Sequence, residues 1–498
     1  MQMSLRAQSA YDAVDYPSYS YPETHPDRMA AMAILHGLSP APANRCRVLE
    51  IGCNEGANLI PMAYALPESE FVGFDLAALP VERGQKRIDA LGLTNIRIFV
   101  SDLMEVGGEL GRFDYILAHG LYAWVPEPVR DRLLALCGEL LTPGGVAFVS
   151  YDALPGGHLR RMTREMMLFG VKQIADAKTR AIQARGLLQM VLEARPEGDA
   201  YRQLLTRQVE SMEKRNPETI YHDELAEEYH PVLFTEFVEH AGKHGLQYLS
   251  EASLPPPDDA GQKPEFQQAL ESLAGSDILK REQMMDFARM RVFRETLLCR
   301  SERVVQRDFP ADHLRRLLVA SQTTSGAGQT AGAREFRTPT GIKLETNHPG
   351  VIALLEMLEA AWPHVLSLEE LEPRLQQAGL ALDSEGATLL LQLAAARMIV
   401  FHAWKAPLSE GISARPRASA ASRQEAGMRP YATTLGHATA SMRDPIVRSL
   451  FQLLDGTRDR NALLDTMHSA YPEIPCEELG KKIEQALEFF YQSALLEA

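Results

Sequence analysis

The sequence predicts an α/β protein: a doubly wound parallel sheet, split by a helical insertion and followed by two compact α-rich segments with a winged-helix-like rhythm. Three observations predict it. Residues 48–151 alternate short, β-branched runs with helical stretches, which is the pattern of βαβ units. Residues 158–214 then show helical spacing with almost no strand candidates. Beyond a polar, glycine-rich stretch at 321–333 (SQTTSGAGQTAGA) the chain turns helical again.

The elements follow in order. VLEI (48–51) is the first strand, and a helix spans 58–65. FVGF (71–74) is the second strand and runs into Asp75, with a helix at 81–91 behind it. IRIFV (96–100) and YILA (115–118) are strands three and four, followed by a helix at about 127–141. TPGG (142–145) reads as a turn and VAFVS (146–150) as strand five. After the insertion come a helix at 233–244, the strand LQYL (246–249), a helix at 280–289 and a last strand, VFRETLL (292–298). These complete the interrupted sheet. PPPDD (255–259) is expected to be a rim loop, 321–333 a flexible loop or linker, and 411–427 (GISARPRASAASRQEAG) a low-complexity connector. The α-rich segments cover 349–404 and 444–497. The expected domain limits are 1–154 and 231–305 for the split core, 155–230 for the insertion, 306–410 for a middle domain and 428–498 for the last domain.

Bulk properties bound the function. The 498 residues have room for two to four domains at roughly 100–200 residues each. The formal net charge of −15 argues against sequence-independent nucleic-acid binding, which needs Lys and Arg on phosphates. Five cysteines (Cys46, Cys53, Cys137, Cys299, Cys476) form no C-x-x-C pair, so neither a disulfide framework nor a metal site is expected and a reducing cytoplasm is the simplest location. The first residues lack the apolar core of a signal peptide, and no stretch approaches the ~18 apolar residues of a membrane span.

The chemistry concentrates at strand ends. In VLEIGCNEGANL (48–59), Gly52 and Gly56 permit a tight turn after the first strand, where doubly wound sheets bind ligands. The spacing is G-x-x-x-G, with Asn54 where a dinucleotide fingerprint has its middle glycine. Glu50 and Glu55 bracket the turn, which suits a cation better than a pyrophosphate. S-adenosylmethionine, with its sulfonium and ammonium groups and no phosphate, fits that demand. Asn54 is expected near the left-handed region, which Asn enters more cheaply than most residues. Asp75, with Leu76 beside it, ends the second strand where a carboxylate can accept from both hydroxyls of a ribose. Ser101 and Asp102 follow the third strand, where Asp102 can accept from an adenine amino group while Leu103 packs on the base. His119 and Gly120 follow the fourth strand, beside the transferable group. Tyr122 and Trp124 offer aromatic surface there, and Tyr151 and His158 leave the fifth strand near the same rim, His158 as a candidate base. Near the N-terminus Tyr11, Tyr16, Tyr19 and Tyr21 alternate with Pro17, Pro22 and Pro26, a polar–aromatic strap able to cover a cofactor or cradle an ammonium group. An acceptor pocket of Tyr16, Tyr19, Tyr122, Trp124 and Tyr151 is expected. Each feature also has a structural reading, as core packing, as a solvated strand end or as a strap.

Together, YDxVxYPSxxxxxTHPDR, LEIGCxxGxNL, HGLYAWVP, SYDALPGGH and YHDELAEEYHPVLFTEFVEHAGKHGLQYL resemble the bacterial class I methyltransferases that carry a methyltransferase regulatory domain. The best-described of these methylate lysines of outer-membrane proteins. The resemblance covers about residues 11–300 and extends more loosely onward through FRETLLCR and LLDGTRDR. It implies a Rossmann-like core, a helical insertion used for dimerisation, and further middle and C-terminal domains. It also implies cofactor contacts by Glu50, Gly52, Asn54, Gly56, Asp75, Ser101, Asp102, Leu103 and His119. The implied substrate is an outer-membrane or surface protein met before export. Three readings stay open: a protein-lysine methyltransferase, a methyltransferase with a small-molecule or biosynthetic acceptor, and a non-catalytic binding protein.

Overall fold

The computed structural model describes residues 14, 16, 18–255 and 263–498; Tyr11, Pro17 and all but the first residue of the expected 255–259 loop lie outside the described residues. After helix α1 (Pro26–Leu35) come β1 (Arg47–Ile51), α2 (Leu59–Ala65), β2 (Glu70–Asp75), α3 (Ala78–Leu91), β3 (Ile96–Val100), β4 (Phe113–Ala118), α4 (Glu127–Leu140) and β5 (Leu141–Asp152). Four helices form the insertion: α5 (Gly156–Val171), α6 (Ala177–Glu193), α7 (Ala200–Glu213) and α8 (Pro217–Leu225). Then α9 (Phe234–Lys243), β6 (Leu246–Glu251), α10 (Pro264–Ala274), α11 (Ile278–Arg289) and β7 (Phe293–Arg300) close the core.

The sheet order is β3-β2-β1-β4-β5-β7-β6. Strands β1 to β5 are parallel, whereas β7 runs antiparallel to both β5 and β6. The order reverses between β1 and β4, so the crevice for a ligand opens at the C-terminal ends of those two strands. Alternate residues supply opposite cores. Val48, Phe71, Tyr115, Leu117 and Phe148 pack on the face shared with α1 and the middle domain. Leu49, Ile51, Val72, Ile116, Val149 and Tyr151 pack on the face covered by α4 and α9.

Three sequence expectations change. The TPGG turn is a bulge inside β5: Leu141 pairs with Phe113 and Val146 with Tyr115, with the register shift between. The stretch at 321–333 is not a free linker. Its strand Thr324–Ala327 pairs with Arg334–Arg337, which pairs with Lys343–Thr346. Backbone bonds hold that ladder while the side chains of Thr324–Ala327 face outward, which removes the apolar alternation a sequence reading needs. The 411–427 connector contains most of a helix, Ala420–Met428, capped by Ser419 accepting the Ser422 N–H. It buries Ala421, Ser422, Glu425 and Ala426, so small and polar side chains stand where an apolar stripe would have announced a helix. The last domain has its own core, built from Leu450, Phe451, Leu463, Leu479, Leu487 and Phe490.

Candidate functional site

The turn after β1 uses three left-handed residues in close succession: Gly52 (φ 77°), Asn54 (φ 49°) and Gly56 (φ 69°). Asn54 thus adopts the conformation expected of it. Its Oδ1 accepts the Glu55 N–H at 2.7 Å, the local bond that eases this conformation for Asn. Its N–H donates to Asp75 Oδ2 at 2.8 Å, and Asp75 Oδ1 accepts the Ala77 N–H at 2.8 Å. Asp75 therefore fastens the end of β2 to the turn. The Gly52 N–H donates to the Phe74 carbonyl at 2.9 Å and the Ser101 N–H to the Asp75 carbonyl at 3.0 Å, which lines up the first three strand ends. Ser101 and Asp102 are half-buried, and Asp102 Oδ1 accepts the Met104 N–H at 2.9 Å. Leu103 is buried in the core below, and Leu76 is exposed.

Glu50 lies under this turn, 4% exposed. Its Oε1 accepts from Asn58 Nδ2 at 2.8 Å, and its Oε2 has no hydrogen-bond partner among the described residues. Burial pushes its carboxyl up to about 8, against the Asn58 hydrogen bond and with Asp75 adding to the rise. A buried carboxylate oxygen without a donor demands a cation or an N–H. The ammonium of adenosylmethionine meets that demand. Glu55 departs from expectation. It pairs with Arg83 at 3.5 Å and with Arg429, so its charge is matched inside the chain and does not face a ligand.

The half-buried His119 lies against Tyr21, with ring centroids 3.7 Å apart, and against Phe148 at 5.9 Å. Burial pulls the imidazole down to about 4, so it is neutral at pH 7. Among the described strap tyrosines it is Tyr21 that reaches the site. Tyr16 donates to Asp223 at 3.0 Å in the insertion, and Tyr19 is 39% exposed beside Tyr431.

The expected aromatic pocket does not assemble. Tyr122 and Tyr151 are core residues on the α9 face, packed against Phe237 at 5.0 and 4.1 Å. Their hydroxyls are engaged by His240 at 2.8 Å and Thr296 at 3.2 Å. Alternation along β5 sends Tyr151 to that face, and the short turn at Tyr122–Trp124 sends Tyr122 after it. Trp124 lies under the guanidinium groups of Arg160 and Arg164, at 4.9 and 5.2 Å. His158 is exposed at the start of α5.

Asn58 is the residue that the sequence reading passed over. Its Oδ1 accepts the Tyr21 N–H at 3.1 Å and faces His437 Nε2 at 2.9 Å, while its Nδ2 donates to Thr24 at 3.0 Å and to Glu50. One signal was present: LEIGCxxGxNL carries this Asn at the start of α2, and in the structure it sits at the N-cap without a side-chain capping bond. A cavity of about 690 Å³ lies between α1, the strap, the middle domain and the last domain, with Pro22, Glu23 and His25 at its edge. Arg28, Trp362, Phe401, Trp404, Lys405 and Phe489 line it.

Comparisons with known proteins bear on this geometry. Residues 48–145 match a methyltransferase domain, 216–300 a predicted methyltransferase regulatory domain, and 414–474 the C-terminal winged helix domain of PKMT. Two relatives come from Rickettsia prowazekii. The uncharacterised protein RP789 is 34% identical over 310 residues, which span 62% of this chain and 56% of that one. The uncharacterised protein RP028 is 31% identical over 241 residues, 48% of this chain and 96% of that one. The structure of PKMT2 from Rickettsia typhi in complex with AdoHcy shares the fold, with a TM-score of 0.86 at 23% identity, over 97% of this chain and 99% of that one. The turn, the carboxylates and the matched domains agree, and the chain belongs to the class I adenosylmethionine-dependent methyltransferases that carry a methyltransferase regulatory domain.

Proposed function

We propose that the protein methylates lysine side chains of a protein substrate. The observation that carries this reading is a pair of acids beside the aromatic stack. Phe293 lies 6.3 Å from His119, and Glu295, two residues along β7, shares its face. Burial first, and then Glu23 and Glu251, push the Glu295 carboxyl up to about 7. Tyr21 and Glu23 come from the same strap. An acidic, aromatic approach of this kind favours a lysine ammonium over an anion. The PKMT-type winged-helix match and the whole-chain likeness to PKMT2 support the same acceptor.

Bound adenosylmethionine supplies an electrophilic methyl on sulfur. Glu50, Asn54 and Asp75 hold the cofactor, with the further contacts assigned to Gly52, Gly56, Leu76, Ser101, Asp102 and Leu103. Tyr21 and His119 wall the reacting end, and the neutral imidazole adds no charge that would repel a sulfonium. The lysine arrives protonated, with a pKa of ~10.4, and must lose that proton before it attacks. Glu295, with its carboxyl near 7, is our candidate to take it. The substrate is met in the cytoplasm before export, and the insertion joins two copies of the chain.

Incubation with methyl-labelled cofactor and outer-membrane protein tests this. Label on lysines is expected, and Glu295→Gln should lower the rate at least about tenfold and remove the rise in rate through pH 7. Label confined to small molecules would rule out the lysine assignment.

A further inference from the structure

The last domain touches the cofactor turn through a short hairpin of Tyr431–Thr433 and Thr439–Ser441. The hairpin rests on the strap. The Ser18 carbonyl accepts from Arg429 Nη1 at 2.8 Å and from the Tyr431 hydroxyl at 3.2 Å, and Ser20 Oγ lies 3.3 Å from both Thr433 Oγ1 and Thr439 Oγ1. Arg429 also reaches Glu55 in the turn itself, and a buried Arg87–Glu425 pair at 3.3 Å joins α3 to the same domain.

At the tip is His437, 2% exposed, with φ at 62°. The left-handed region is costly for a residue with a Cβ, and Gly would sit there without strain. What the imidazole does there is donate to Asn58. The backbone N–H of Tyr21 can only donate, so the Asn58 atom facing it is the oxygen. His437 Nε2, 2.9 Å from that oxygen, therefore carries the proton. Burial, with His25 adding to it, holds the ring far below its usual value, so it is neutral. With its oxygen held from two sides, the Asn58 amide can only present its nitrogen to Glu50 Oε1. That leaves Oε2 turned to the site.

We propose that His437 is a positioning residue of the cofactor site, and that the last domain completes this site through the relay His437–Asn58–Glu50. The inference rests on the reading that Glu50 receives the cationic end of the cofactor. It gives the C-terminal domain a task beyond partner contact: whatever lifts the hairpin off the strap also releases the cofactor.

Calorimetric titration of adenosylmethionine into the full chain tests this, with Tm measured alongside. His437→Gly removes the donor while relaxing the backbone. It should keep Tm at or above that of the unchanged chain and weaken Kd about tenfold, the cost of one hydrogen bond to a charged relay. His437→Gln keeps an N–H donor at similar reach and should recover most of that loss. Binding by His437→Gly equal to the unchanged chain would overturn the proposal, as would an equal loss in both variants. Glu50→Gln separates the two levels. If it binds as tightly as the unchanged chain, Glu50 does not hold the cofactor, and the underlying reading falls first.

Discussion

Glu50 combines a carboxyl pushed up to about 8 with one oxygen that no described group satisfies. Only its ionised form receives a cation, so the free protein must first lose a proton from a group that is mostly protonated at pH 7. Cofactor Kd should therefore tighten about tenfold per pH unit from 6 to 8 and level off above, with proton release on binding. Titrations in buffers of different ionisation enthalpy measure both. Glu50→Gln should bind weakly with no slope over that range. At this scale the sequence was readable where backbone geometry restricts the residue: Asn54 had few conformational alternatives in a tight turn. It was unreadable where a partner lies far along the chain. Glu55 looked like a ligand contact because nothing nearby announces Arg429. Tyr122 and Tyr151 looked like pocket walls because an aromatic at a strand end can face either side of the sheet.

Strands β1 to β4 and the helices between them were legible because burial on both faces writes continuous apolar runs. The antiparallel seat of β7 and the ladder of residues 324–346 were not, because pairing partners and outward-facing strands leave no local pattern. Helix α3 shows how closely an element can press on the site. At Gly84 an added Cβ would lie 2.4 Å from the Glu55 carbonyl oxygen and 2.5 Å from Ile98 Cδ1. The carbonyl belongs to the cofactor turn and cannot swing aside as a side-chain tip would. Gly84→Ala should thus displace α3 or the turn, with a loss of about 1–3 kcal/mol in a denaturant titration and weaker cofactor binding. Ala at Gly92, which has nothing within 4 Å but a φ of 64°, should lose about 1–2 kcal/mol with cofactor affinity intact.

Across the whole molecule, the core, middle and last domains meet around the strap, and the helical insertion, which also touches the strap through Tyr16 and Asp223, has its own core of Met167, Leu188, Leu205 and Ile220. Its outer surface carries Phe169 at 86% exposure, Met190 at 60% and Ile182 at 47%. Exposed apolar side chains of this size on one small unit fit a contact between copies. Light scattering should report a dimer, and Phe169→Asp should shift it toward monomer with cofactor affinity unchanged. Among the described residues no helix is long and apolar enough to cross a membrane. The turn at residues 50–58, rather than the 690 Å³ cavity, is assigned as the cofactor seat. A crystal structure of the protein soaked with the demethylated product tests it most directly. An amino group within hydrogen-bonding distance of Glu50 Oε2, ribose hydroxyls on Asp75 and the sulfur beside Tyr21 and His119 are expected. Product seated instead in the 690 Å³ cavity between α1 and the last two domains, with Glu50 untouched, would contradict it.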